Sequence, residues 1–79
     1  MFKKGDIVTP VEPKELSLDS ALDQLERIKS NDISLGKKYE VLDSSRYIVV
    51  INDHGKQESF NLWRFKLVNR KHHLPKFME

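Results

Sequence analysis

The run Tyr47-Ile48-Val49-Val50-Ile51 leads directly into Asn52-Asp53-His54-Gly55, and that junction constrains the fold more than any other part of the chain. Four β-branched residues in succession favour a pleated, packed surface over a helix. The four residues after them are reversal chemistry, with Gly55 free to take a positive φ that a Cβ would oppose. The returning stretch Lys56-Gln57-Glu58-Ser59-Phe60 is polar except at its end, as an edge strand tolerates. A hairpin over 46–60 is predicted, with its first strand covered on both faces because it is apolar on both. In a chain of 79 residues, that hairpin makes one β-rich domain the expected unit.

The flanking segments extend the same pattern. Lys4-Gly5-Asp6-Ile7-Val8-Thr9 reads as a turn and a short strand, stopped by Pro10 and Pro13, which lack a backbone donor. Tyr39-Glu40-Val41-Leu42-Asp43 follows Gly36 and reads as a strand. Asn61-Leu62-Trp63-Arg64 reads as a tight or single helical turn, and Phe65-Lys66-Leu67-Val68 alternates and can close the sheet. Between the first two strands the period changes. Leu18, Ala21, Leu22, Leu25 and Ile28 recur at three and four residues, which places them on one helical stripe over 17–30. Ser17 is the expected N-cap and Asn31 the expected left-handed stop. Leu18, Leu22, Leu25 and Ile28 are expected to lie across the sheet. The expected core is Ile7, Val41, Val49, Ile51, Phe65 and Leu67. Tyr39 and Tyr47 are expected to be half-buried with their hydroxyls in water. Residues 1–69 then form the domain, and 70–79 form a basic tail without a clear period, expected to be mobile or to pack only loosely through Leu74 and Phe77.

Bulk properties exclude several classes. The 38% hydrophobic and 33% charged residues suit a globular chain rather than a disordered one. There is no cysteine, so neither a disulfide nor a thiolate metal site reinforces this core. No apolar run approaches the roughly 20 residues that span a bilayer. No signal-like apolar region follows Lys3 and Lys4. A cytoplasmic, soluble protein is expected.

The segments Lys4-Gly5-Asp6-Ile7-Val8, Gly36-Lys37-Lys38-Tyr39-Glu40-Val41-Leu42-Asp43, Tyr47-Ile48-Val49-Val50-Ile51-Asn52-Asp53-His54-Gly55 and Trp63-Arg64-Phe65-Lys66-Leu67-Val68 together resemble small SH3-like barrel proteins of tailed bacteriophages. The resemblance covers about half of the chain. It implies a mainly β fold, an SH3-like barrel of about five strands; the amphipathic helix read over 17–30, inserted after the first strand, departs from the family's pattern. The helix stands where the family has its long first loop, so no groove residue of the family is carried over. The fold hosts protein, peptide and nucleic-acid binding alike, and function must come from the site.

Catalytic signals are missing. Glu40, Asp43, Asp53 and Glu58 fall at turns and strand ends, and Ser44-Ser45 has no neighbouring base. The three glycines are scattered, so no phosphate loop is expected. His54 reads as a turn residue, and His72-His73 lack zinc-site spacing. No enzyme activity, cofactor or metal is expected. What remains is binding. Residues 11–32 carry three basic and six acidic side chains, a net −3; residues 61–79 carry five basic and one acidic, a net +4. The candidate surfaces are the aromatic Trp63, the basic set Arg64, Lys66, Arg70 and Lys71, and the acidic helix face Asp19, Asp23 and Glu26. A protein partner, such as a host protein engaged by a phage factor, is the first expectation. Nucleic acid bound by the basic set is the second, and a structural part in a larger assembly the third.

Overall fold

The reversal at 52–55 forms as its chemistry dictates. Asn52 Oδ1 accepts from the backbone N–H groups of His54 and Lys56, and Gly55 takes φ +79°. The strands that it joins belong to a computed structural model that describes residues 2–70. In chain order these residues form β1 (Asp6–Pro10), a 3-10 turn (Pro13–Glu15), α1 (Leu18–Lys29), β2 (Tyr39–Glu40) and β3 (Asp43–Ser44). β4 (Tyr47–Ile51), β5 (Gln57–Asn61), a second 3-10 turn (Leu62–Arg64) and β6 (Phe65–Arg70) follow.

Six strands make two three-stranded antiparallel sheets, ordered β2-β1-β6 and β3-β4-β5. The run expected as one strand over 39–43 serves both. Val41 N–H donates to Asp6 O at 2.8 Å, while Leu42 N–H donates to Val49 O at 2.8 Å. The chain thus changes sheets between two neighbouring residues, with opposite pleat directions feeding the two ladders. The ladders do not close into one barrel.

The core between the sheets is Val8, Ile33, Tyr39, Val41, Ile48, Val50, Phe60 and Phe65. Val41 and Phe65 lie where the sequence placed them, but four expected core residues do not. In β4 the buried pair is Ile48 and Val50; Val49 is half-buried and Ile51 exposed. A strand apolar on both faces carries no internal sign of which face turns inward, and a shift of one residue inverts it. The partner strand decides: Ile48 stands opposite Phe60, the one apolar residue of β5. In β1, Val8 is inward and Ile7 half-buried. In β6, Leu67 is exposed because the strand pairs only with β1 and leaves the core after Phe65. Tyr39 is buried, not half-buried, and Tyr47 is exposed. Arg70, placed in the tail by the sequence, is the last residue of β6. The tail expectation for 71–79 lies outside the described residues.

The segment between α1 and β2 is held by one carboxylate. Asp53 accepts from the Ser34 hydroxyl, from Lys37 Nζ at 2.7 Å and from the Tyr39 hydroxyl at 2.7 Å. Burial alone would raise the Asp53 pKa, but those three donors outweigh it and hold the group below its ordinary 3.8. The same burial, with the Asp53 acceptor, pushes the Tyr39 hydroxyl up to about 12. A carboxylate depressed on folding stabilises the fold fully above its unfolded pKa, and that contribution is lost as pH falls through the lower folded value. Urea midpoints measured from pH 7 down to pH 2.5 are therefore expected to fall below about pH 4. In Asp53→Asn that particular acid-limb loss is expected to shrink, with a lower plateau at neutral pH.

The helix forms over the predicted stretch but is turned. Its N-cap position is Ser17, whose carbonyl accepts from Ala21 N–H while its hydroxyl makes no cap bond. Asn31, at φ 60°, ends it as expected. Ile28 packs against the core. Leu18, Leu22 and Leu25, expected to lie on the sheet, are 74%, 55% and 42% exposed, whereas Gln24 is fully buried.

Candidate functional site

An α-helix turns by about 100° per residue, so the stripe Ala21, Gln24 and Ile28 and the stripe Leu18, Leu22 and Leu25 sit roughly a quarter-turn apart. Both are spaced by three and four, and pattern alone cannot choose between them. The bonds of Gln24 make the choice. Its Nε2 donates to Val11 O and to Arg64 O, each at 3.0 Å, and its Oε1 accepts from Arg64 Nη1 at 3.1 Å. The two bonds to Arg64 are buried and the one to Val11 is partly buried, and such groups are costly to bury unpaired. Arg64 completes the arrangement by donating from Nη2 to Asp23 at 2.8 Å. Its guanidinium also lies 4.4 Å from the centre of the half-buried Trp63 ring.

One turn further on, Arg27 donates to Asp32 at 3.0 Å and to Glu58 at 2.7 Å, and it sits 5.1 Å above the Phe60 ring. Burial acts to lower its pKa, but the two carboxylates more than compensate and raise it. His54 Nε2 stands 3.2 Å from Ser30 O and 3.4 Å from Asp32. The helix is thus fastened along its polar side from its middle to its C-terminal turn, and its leucine side faces outward.

That outward side is the candidate site. Leu18, Leu22 and Leu25 form a ridge at spacings of four and three, continued by Lys29. An open depression on it is lined by Leu22, Asp23, Leu25, Glu26 and Lys29. Asp19, Asp23 and Glu26, singled out from the sequence, all lie on exposed positions of α1. Asp23 is bound to Arg64; Asp19 and Glu26 have no ion-pair partner among the described residues. The leucines were missed as surface residues because apolar periodicity is read as core by default. No local signal marked them, since a glutamine between Ala21 and Ile28 argues on pattern for the opposite facing.

The basic set is dispersed. Arg64 is buried against Asp23, Lys66 pairs with Glu15 at 3.0 Å, and Arg70 lies 3.8 Å from the buried Asp6. The Lys66 hydrogen bond, aided by its charge, lowers the pKa of Glu15. Lys71 lies outside the described residues. Three of the four members of the set thus face carboxylates. Among the described residues no helix is long and apolar enough to cross a membrane, and no three His, Asp or Glu side chains gather as a metal set.

Because about half of each leucine is already exposed, the double variant Leu22→Gln, Leu25→Gln is expected to cost no more than about 1 kcal/mol. Glutamine and leucine have similar helix propensities, so the helix itself is not weakened. Urea unfolding measures this directly. No family model matches the chain, and no curated protein and no solved structure matches it.

Proposed function

We propose that this chain is a non-catalytic protein-binding module, a small SH3-like β domain that presents α1 to a protein partner. The observation that carries the reading is the outward ridge Leu18, Leu22 and Leu25. Three leucines exposed side by side on one helix make an apolar surface that another molecule can cover. Its scaffold is rigid, since Gln24, Arg64 and Arg27 fix the helix from beneath. The SH3-like reading is supported by the 39–44 run shared between the sheets and by the 3-10 turn that leads β5 into β6. On the resemblance to tailed-phage proteins, the partner is a host protein in the bacterial cytoplasm.

Affinity capture from a bacterial lysate with the wild-type chain and the Leu22→Gln, Leu25→Gln variant in parallel tests the proposal. A protein retained by the wild type and lost by the variant is the expected result. Identical retained sets, or no protein retained by the wild type, would count against it. Labelled single- and double-stranded nucleic acids should show no tight binding at low salt. Tight binding that weakens steeply with salt would move the function to the basic side chains.

A further inference from the structure

We infer that the occupant of the α1 face is a cationic amphipathic helix of another protein, and not a second copy of this chain; the inference rests on α1 being the docking face. A helix saturates its own backbone hydrogen bonds, so α1 offers a partner only side chains and cannot recruit an added strand. Spacings of four and three in Leu18, Leu22 and Leu25, continued to Lys29, form the seam along which a second helix packs lengthwise. The 12 residues of α1 give that seam a length of about 18 Å, or some three turns.

Charge selects the occupant. Asp19 and Glu26 flank the ridge on the same side, seven residues apart, and neither has an ion-pair partner among the described residues. A second copy packed antiparallel sets Asp19 against the other copy's Glu26. A parallel copy, whose acidic flanks fall on opposite sides of the pair, instead sets Lys29 against Lys29 on the seam itself. Both orientations bring like charges together at a seam that excludes water, which disfavours association. A helix with lysine or arginine seven residues apart, beside an apolar ridge of its own, meets both carboxylates and the leucines at once.

Three synthetic peptides of about 18 residues share one leucine ridge at a/d spacing and differ only in flanking residues, which are Lys, Gln or Glu. Each is titrated into the isotope-labelled full chain, and amide shifts locate the contact. The Lys peptide is expected to shift α1 resonances and to bind about tenfold or more tighter than the Gln peptide. That advantage should shrink at raised salt, and the Glu peptide should bind least. In Asp19→Lys, Glu26→Lys the order is expected to reverse. If the Gln or Glu peptide occupies α1 as tightly as the Lys peptide, the cationic partner is wrong while the docking face stands. If no peptide shifts α1, the docking face falls as well. A dimer in sedimentation that Leu22→Gln, Leu25→Gln dissociates would assign the face to a second copy and overturn the inference.

Discussion

Gln24→Leu is expected to destabilise the protein by about 2–3 kcal/mol, although it replaces a polar residue by an apolar one inside a small protein. Leucine fills nearly the same volume and gains some transfer energy, which alone would favour it. It cannot, however, replace any of the three bonds of Gln24, two of them buried and the one to Val11 O partly buried. Val11 O loses the Nε2 donor, Arg64 Nη1 loses its acceptor, and Arg64 O keeps only the Val11 N–H. Each buried polar group left unpaired costs about 1–3 kcal/mol, which outweighs the gain. Domains of this size have roughly 4–12 kcal/mol in hand, so the loss is a large share. The melting temperature is expected to fall by about 10–20 °C, read by calorimetry or circular dichroism. An unchanged or raised melting temperature would mean that Gln24 faces water.

Phe60→Ala is expected to have the largest effect of any single substitution proposed, about 3–5 kcal/mol. Phe60 is buried opposite Ile48 and meets Phe65 edge-on at 5.4 Å between ring centres, with interplanar angle 75°. Arg27 covers its outer face at 5.1 Å. Truncation removes the aromatic pair and the cation contact and leaves a cavity among rigid strand residues that cannot collapse. At the upper end of the range the chain no longer folds at 25 °C, and its dispersed amide spectrum should narrow. Phe60→Leu keeps most of the volume and should regain roughly half of the loss. Dispersion retained in Phe60→Ala would place the core elsewhere.

Much of the fold was legible because local chemistry and final structure agree. The hairpin at 52–55 and the helix end at Asn31 follow from residues whose backbone preferences are strong. The face assignments were not legible, for a physical reason. In β4 every residue from Tyr47 to Ile51 is apolar, and period two gives no direction without the opposing Phe60. In α1 two stripes share the same spacing, and only contacts distant in sequence, Gln24 with Arg64, separate them. Tyr39 and Ile33 join the core through a segment pinned by Asp53, a contact no local pattern announces. The candidate site was half visible. Its acidic flank showed in the sequence, while its apolar ridge was taken for core.

The chain has no native cysteine, so single substitutions report exposure without background. Leu22→Cys and Leu25→Cys are to be reacted with an aromatic disulfide reagent in native buffer and in urea, with Val50→Cys as the buried control. Both helix thiols are expected to react in native buffer within about tenfold of their unfolded rate, while Val50→Cys reacts only as the protein opens. Helix thiols that stay protected until denaturant is added would show that α1 buries its leucines, and the docking face described above would not exist.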